Sequence, residues 1–241
     1  MRERWRLLLG IALIGASVAC YGVQLIIFRK PADTFFYILQ DLGFAFINVL
    51  VVTLVIDQLL RRREVAALHH KLNMVIGAFF TEVGTTLLKY LSLFDVHLDE
   101  IREIAKLSDN WSKREFTAAR RRLETYDYSI NYHCADLQEL KELLNGQKAF
   151  FLGLLANPSL LEHESFTSLL WAVTHLAQEL GCREDLENLS EPDYLHLEGD
   201  MRRVYTLLTY QWLLYVWHLQ QDYPYLYKFV LNRSPFEDRS A

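Results

Sequence analysis

The sequence contains few residues that interrupt helices or cross-link chains. Its 241 residues include only 5 prolines, 10 glycines and 3 cysteines. Proline and glycine are the residues that most often end helices, so their scarcity favours helix over most of the chain. The three cysteines have neither the spacing of a zinc site nor that of a disulfide framework, and we expect them to be reduced thiols.

The sequence also lacks an excess of positive charge. Its net charge is −5, and residues 61–241 contain 20 basic and 26 acidic side chains. An acidic domain repels nucleic-acid phosphates, so we expect no nucleic-acid partner. The sequence has no glycine-rich phosphate loop and none of the motifs of zinc proteases or serine hydrolases. We therefore expect a protein that is not an enzyme and that uses no cofactor.

Two long apolar runs lie near the N-terminus, at residues 7–28 and residues 35–60. Each is long enough to cross a bilayer as a helix. A signal peptide has a shorter apolar core and a cleavage site of small residues, which the first run lacks. We predict an all-α protein in which a transmembrane hairpin at residues 1–63 precedes a cytoplasmic helical domain at residues 64–241.

Basic side chains are distributed unevenly around the two runs. Six arginines flank the outer ends, whereas the turn between the runs holds two basic residues, Arg29 and Lys30. Cytoplasmic flanks carry the excess of basic residues, so we predict a cell-membrane protein with both termini in the cytoplasm. The six arginines are Arg2, Arg4, Arg6, Arg61, Arg62 and Arg63.

Polar side chains interrupt the second run. Asp41 and Asn48 are seven residues apart and therefore share a helix face. A carboxylate inside a bilayer is costly and indicates function, so we predict a polar seam at these two residues. The alternative is a span that begins at Leu42, with Asp41 among the headgroups. At the other end, we predict that Asp57 forms an ion pair with Arg61 at the membrane interface.

Small side chains form one face of the first run. Such faces let helices approach closely in lipid, so we predict that this face packs against the second span or against another copy of the chain. The alternative is ordinary membrane composition, in which glycine and alanine are common. The residues of the face are Ala12, Gly15, Ala16, Ala19 and Gly22.

A third apolar stretch, at residues 72–94, carries the charged residues Glu82 and Lys89. Each charge costs about 3 kcal/mol at the centre of a bilayer, so we predict a helix that packs outside the membrane. A third span is the alternative. After residue 95, capping signals such as Ser112 with Glu115 predict soluble helices. We expect about five to seven helices in residues 64–241.

Pairs of a histidine and a carboxylate at helical spacing are typical of some metal sites in helical bundles. Di-iron bundles, however, need several further ligands at set spacing, which this sequence lacks, so we predict no metal site. The pairs are His175 with Glu179, His218 with Asp222, and Asp193 with His196.

Three segments carry a resemblance to a known family. They are residues 41–57 with the run NVLVVTLVID, residues 71–77 with KLNMVIG, and residues 222–227 with DYPYLY. Together they resemble a family of uncharacterised prokaryotic membrane proteins with two N-terminal spans and a helical cytoplasmic domain. The resemblance implies this architecture and no particular activity, ligand or partner.

Two classes of function remain open. The first is a membrane-anchored helical interaction or sensor module, whose partners are the lipid bilayer and a cytoplasmic protein. The second is a homo-oligomeric ion channel or small transporter lined by the second span. A channel needs several copies of the chain, because two spans cannot enclose a pore. Since the polar seam also needs shielding from lipid, we expect a homo-oligomer.

The distribution of arginines predicts the topology of the chain. A reporter that is active only in the cytoplasm should be active when fused after Ala241 and inactive when inserted at the Pro31 turn, because the arginine-rich flanks stay inside. An extracellular Ala241 would contradict this topology and indicate a third span at residues 72–94.

Overall fold

The computed structural model describes residues 2–29, 31–106, 108, 110–131, 134–160 and 163–236. Within these residues the chain is all-helical, as predicted, and forms no strand. It divides into two compact units, Met1–Val65 and Ala66–Ala241. The predicted boundary lies close to this division.

Helix α1 covers Arg2–Phe28, and helix α2 covers Pro31–Phe79. The first unit consists of helix α1 and the part of helix α2 up to Val65. Arg29 lies between them with a φ of 51°, a left-handed conformation that stops α1 while its N–H donates to the Leu25 carbonyl at 3.0 Å. Proline fits the first turn of a helix because it has no N–H to satisfy, and Pro31 therefore begins α2.

Helix α2 is longer than the predicted second span. The sequence predicts a span that ends at residue 60, whereas α2 continues through the triple arginine to Phe79. The reason is that no proline or glycine lies between Gly43 and Gly77, and arginine is a good helix former.

Three helical segments are long and apolar enough to cross a membrane. Gly10–Ile27 and Asp33–Val65 are almost entirely exposed, apart from residues such as the buried Thr34, whereas Lys71–Ser92 is nearly half buried. The buried side chains of the third segment include Phe79 and Leu87, which belong to the core of the second unit. A segment that packs into this core is a poor candidate for a third span.

The third segment contains a break in its helical repeat. After α2, residues Phe80–Gly84 form one π-helical turn, and α3 covers Thr85–Ser92. A Cβ atom at Gly84 would lie 2.6 Å from Cε1 of Phe79 and 2.8 Å from Cδ1 of Phe80. Glycine is thus required where the two aromatic rings approach the backbone.

Seven further α-helices follow α3, so the domain holds eight in all among the described residues, more than the five to seven predicted. Four of the eight, α3, α4, α7 and α10, have only seven or eight residues, and short helices carry little periodicity in sequence. The seven are α4 Leu98–Ile104, α5 Lys113–Thr125, α6 Leu137–Gly146, α7 Lys148–Leu155, α8 Glu164–Cys182, α9 Glu191–Asp222 and α10 Pro224–Leu231.

Side-chain caps fix where several of these helices begin. Ser112 accepts a hydrogen bond from the Glu115 N–H, and the Glu115 carboxylate accepts one from the Ser112 N–H, so the predicted capping box is confirmed. The hydrogen bonds from Ser112 lower the pKa of Glu115. Asp136 caps α6, and Ser190 caps α9 with Pro192 in its first turn. These caps satisfy N–H groups that would otherwise lack a partner.

Helix α9 is the centre of the second unit. It packs against α3, α5, α8 and α10, while α6 and α7 pack on the other side of α8. Along α8 the buried residues recur at three and four positions, which places them on one face. They are Phe166, Leu169, Leu170, Ala172, Val173, Leu176, Ala177 and Leu180.

Helix α9 supplies many residues to the core. Trp212 and Val216 are buried, and Leu207 and Leu214 are half-buried against the same core. The Trp212 ring meets Phe236 edge to face at 5.3 Å between centroids, a favourable aromatic geometry. Trp212 is also the largest of the fully buried side chains among the described residues.

Replacing Trp212 by alanine should destabilise the second unit strongly. The ring is fully buried, so the Trp212→Ala variant of fragment 66–241 should lose about 3–5 kcal/mol of unfolding free energy, measured by urea unfolding. The matched control is Trp171→Ala, because Trp171 is 60% exposed and should cost less than about 0.5 kcal/mol. Equal losses in the two variants would contradict the core assignment.

Candidate functional site

Asp41, the predicted intramembrane acid, has a partner within its own chain. The Tyr21 hydroxyl on α1 donates a hydrogen bond to Asp41 Oδ2 on α2 at 2.7 Å. A hydroxyl can reach the carboxylate because α1 and α2 are adjacent helices of the first unit. Asn48 is exposed on the same helix as Asp41, and the polar seam stays a prediction.

The other predicted features of the first unit are exposed. Asp57 and Arg61 show no ion pair with each other among the described residues, and their pairing at a membrane interface stays a prediction. Long exposed side chains gain little from pairing in water. On the small face of α1, a Cβ atom added at Gly15 or Gly22 would meet nothing within 4 Å. The face is therefore not used for contact with α2 at these glycines.

The second unit contains a small cavity of about 110 Å³. Helix α9 forms one wall through a face of residues spaced by three and four positions. The end of α2 and the start of α8 complete the lining. The lining residues are Asn73, Ile76, His163, Gln211, Leu214, Tyr215 and His218.

Gln211 is the most buried polar group of this cavity. Its Nε2 donates to Ser165 Oγ at 2.8 Å, but its Oε1 has no hydrogen-bond partner among the described residues. An unpaired buried acceptor costs roughly 1–3 kcal/mol, so this amide oxygen favours a bound donor. Next to it, His163 Nδ1 accepts from the Phe166 N–H at 3.2 Å and thereby caps α8.

His218 connects the cavity to a carboxylate at the end of α9. Its Nδ1 lies 2.7 Å from Asp222 Oδ2, one turn further along the helix, and 3.2 Å from Asn73 Nδ2. Asp222 and Asn73 therefore both lie within hydrogen-bond distance of the same histidine nitrogen, and the cavity presents several hydrogen-bonding groups.

Stacked aromatic rings form part of the apolar lining of the cavity. Tyr215 stacks on Phe80 with 4.9 Å between ring centroids, and Phe80 is the first residue of the π-helical turn. Burial raises the pKa of Tyr215, so its hydroxyl stays protonated at neutral pH. The wall is thus fixed by side chains that belong to the core.

Only some of the histidine–carboxylate pairs at helical spacing are in contact. His218 contacts Asp222 as its spacing suggests, but His175 contacts Asp200 rather than Glu179. Glu179 instead pairs with Arg183, which lowers the pKa of the Glu179 carboxyl. The sequence identifies contacts within one helix and misses those made between two helices.

A second buried polar cluster surrounds Asp95. Its carboxylate accepts hydrogen bonds from the hydroxyls of Tyr126 at 2.7 Å and Tyr205 at 3.0 Å, and from the His97 N–H at 2.9 Å. These contacts join the segment after α3 to the end of α5 and to α9. Because its acceptors are occupied, we interpret this cluster as structural.

Burial makes the tyrosines of this cluster very weak acids. Desolvation is the largest cause that raises the pKa of Tyr126, and the Asp95 carboxylate adds to it. Tyr205 shows the same effect, since burial first and then Asp95 raise its pKa. Both hydroxyls therefore remain protonated in the folded state at pH values where an exposed tyrosine ionises.

This raised pKa predicts a loss of stability in alkali. Below about pH 10 tyrosine is protonated in both the folded and the unfolded state, so its full contribution to the unfolding free energy is present. Above this pH only the unfolded state ionises, and each such tyrosine lowers the unfolding free energy by about 1.4 kcal/mol per pH unit. Urea unfolding of Tyr205→Phe above pH 10 should show a shallower decline than wild type.

The control for this measurement is Tyr225→Phe, because Tyr225 is exposed on α10. It should leave the alkaline decline unchanged. If Tyr205→Phe and wild type decline equally, the Tyr205 hydroxyl is not held protonated by its surroundings.

Comparison with known proteins supports the two-part organisation. Residues 68–232 match the family described as "Uncharacterized protein MJ1433, C-terminal helical domain", and residues 1–60 match "MJ1433, N-terminal helical domain". The Uncharacterized protein MJ1433 of Methanocaldococcus jannaschii is 45% identical over 238 residues, which cover 99% of this chain and 96% of that protein. No solved structure matches the chain significantly. Matches to both domains, and this identity over nearly the full length, show that the chain belongs to the MJ1433 family of proteins with N-terminal and C-terminal helical domains.

Proposed function

We propose that the protein is a membrane-anchored helical sensor module that binds a small neutral solute in the cavity beside α9. The observation that carries this proposal is the oxygen of Gln211, which is buried in the cavity wall and has no hydrogen-bond partner among the described residues. A solute with an N–H or O–H group would supply the missing donor. The role is one of binding rather than catalysis.

The proposed location follows from the first unit. Gly10–Ile27 and Asp33–Val65 are apolar enough to anchor the chain as two spans, and the arginine-rich flanks favour a cytoplasmic second unit. The solute would then be a component of the cytoplasm. A cytoplasmic protein that reads the state of the second unit is part of this proposal.

The volume of the cavity limits the size of the solute. An engineered apolar cavity of roughly 150 Å³ accepts benzene, so a cavity of about 110 Å³ fits a molecule of only a few non-hydrogen atoms. At a ceiling of about 1.5 kcal/mol per atom, four such atoms bind with at most about 6 kcal/mol. This corresponds to a Kd no tighter than tens of micromolar, which suits a metabolite at high concentration.

The charges around the cavity favour a neutral solute. A buried ion needs a counter-charge, and Asp222, the carboxylate beside His218, already has that histidine as its partner. The Nδ2 group of Asn73 and the Oε1 atom of Gln211 offer a donor and an acceptor, which is the pattern that a primary amide complements. We therefore take a small amide as the chemical class of the solute.

Helix α2 contributes residues both to the cavity and to the proposed membrane anchor. Asn73 and Ile76 line the cavity, and both belong to α2, the helix that also contains the apolar segment Asp33–Val65. A solute that bonds to Asn73 would favour one conformation of the end of this helix. This shared helix is the reason for proposing a sensor instead of a simple binding protein.

The ion channel is a weaker proposal than the sensor. Its argument was that Asp41 needs other copies of the chain for shielding, but the hydroxyl of Tyr21 already provides one hydrogen bond within the chain. A homo-oligomer remains part of our proposal, because the small face of α1 is open at Gly15 and Gly22 and suits a helix of a second copy.

Solute binding can be tested by thermal unfolding of the full chain in mild detergent. Millimolar acetamide should raise the Tm of the wild type by mass action, whereas acetate should raise it less because it adds an unbalanced charge. The Gln211→Leu variant should lose the response to acetamide. It should nevertheless fold, because leucine has a similar size and removes an unpaired acceptor.

The matched control is Gln221→Leu, since Gln221 is exposed on the same helix and outside the cavity lining. This variant should respond to acetamide as the wild type does. An unchanged wild-type Tm with acetamide and other small amides would contradict the proposal and indicate a cavity that holds only water.

A further inference from the structure

Three side chains with metal-binding atoms converge where α8 packs on α9. His175 belongs to the middle of α8, while His196 and Asp200 lie one turn apart near the start of α9. Asp200 Oδ2 is 3.2 Å from His175 Nε2 and 3.6 Å from His196 Nε2. The three ligand atoms all lie within 4.8 Å of one another. This cluster lies outside the cavity described above.

Asp200 is the fixed member of the cluster. It lies between Leu197 and Met201, two core residues of α9, and its side chain is only 15% exposed. Its Oδ2 atom is shielded from solvent and has no hydrogen-bond partner among the described residues, although His175 Nε2 is close. The imidazole is therefore near the carboxylate without being aligned to donate to it. A buried carboxylate oxygen in this state needs a cation.

We propose that His175, His196 and Asp200 bind a divalent transition-metal ion, with Zn²⁺ as the representative ion. Imidazole nitrogen and carboxylate oxygen are ligands that such ions prefer, at about 2.0–2.2 Å. Ligand atoms at this distance from a tetrahedral ion are about 3.4 Å apart, by geometry from those bond lengths. The separations of 3.2 and 3.6 Å from Asp200 Oδ2 already match this value.

The two imidazoles can complete the site by small movements. Their side chains are 49% and 54% exposed, and their rings meet edge to face at 6.4 Å between centroids. Exposed rings adjust their χ angles at little cost, so the distance between the two Nε2 atoms can shorten when an ion binds. The buried carboxylate of Asp200 would keep its position, and the two imidazole rings would move towards the ion.

The nature of the ligands excludes magnesium and calcium as the preferred ions. Both of these ions require mainly oxygen ligands, whereas this site offers two nitrogens and one oxygen. Three protein ligands also differ from the four that close a structural zinc site. The remaining position would be filled by water or by an exchangeable anion, so the site suits a regulatory or reactive ion.

Nearby charges support a cation at this position. Glu179 follows His175 by one turn on α8, and its carboxylate interacts electrostatically with both histidines. Glu179 is also paired with Arg183, whose guanidinium lies 3.6 Å from Asp193. Among these residues, the carboxylates of Asp200, Glu179 and Asp193 outnumber the guanidinium of Arg183. The surroundings have a negative charge that attracts a divalent cation.

Metal binding can be measured on the full-length, tag-free chain in mild detergent after treatment with a chelator. Isothermal titration with Zn²⁺ should show one ion per chain, and Co²⁺ should give visible absorption bands of a site with nitrogen and oxygen ligands. The variants His175→Ala, His196→Ala and Asp200→Asn should each weaken Zn²⁺ binding more than tenfold. Loss of an outer partner already costs about 10–100-fold, and these residues are direct ligands.

His97→Ala is the control, because His97 is an exposed histidine that belongs neither to this cluster nor to the cavity lining. It should bind Zn²⁺ as the wild type does. Circular dichroism without metal should show that all variants are folded, and His175→Asn and His196→Asn replace any alanine variant that is not. Absence of Zn²⁺ and Co²⁺ binding in the wild type, or equal affinity in all variants, would overturn the proposal.

Discussion

The packing of α8 against α9 is the interaction on which the second unit depends. Both helices bury a continuous apolar face, and the remaining helices of the unit pack around this pair. The same packing positions the polar groups. It brings His163 at the start of α8 near Gln211 on α9, and it brings His175 of α8 to Asp200 of α9. Stability and binding chemistry therefore rest on one helix pair.

The buried polar groups of the unit fall into two classes. Asp95 has its acceptors occupied by two tyrosine hydroxyls and a backbone N–H, which is the usual condition of a buried carboxylate. Gln211 Oε1 and Asp200 Oδ2 lack hydrogen-bond partners among the described residues. A fold retains such groups at a cost in stability, and sites that bind a ligand are where this cost is expected.

Much of the fold was predictable because its signals are local. The capping box of Ser112 and Glu115 depends on residues three positions apart, and it appears where its pattern predicts. The unbroken continuation of α2 to Phe79 and the π-helical turn after it were not predicted. Helix propensity indicates that a helix can continue but does not fix where tertiary contacts make it stop.

The sites were less predictable because their residues come from different helices. Gln211 and His218 interrupt an apolar stretch of the sequence, but their partners Ser165 and Asn73 are distant in sequence, so the sequence does not show these contacts. The sequence predicted no metal site, since the spacing within each helix lacks a full set of ligands. Asp200 had no sequence signal of its own, because only packing between α8 and α9 brings it to His175.

The π-helical turn at Phe80–Gly84 also constrains the number of residues between α2 and α3. Each residue of an α-helix advances the side-chain direction by about 100°, so one additional residue in a turn changes the angular phase of everything that follows. Leu87, Leu88 and Leu91 are buried in the present phase. Deleting a single residue in this turn would rotate α3, and these leucines would no longer face the core. The same deletion in a surface loop would leave the helix faces unchanged. Members of the family should therefore keep the number of residues between α2 and α3 constant even where their side chains differ.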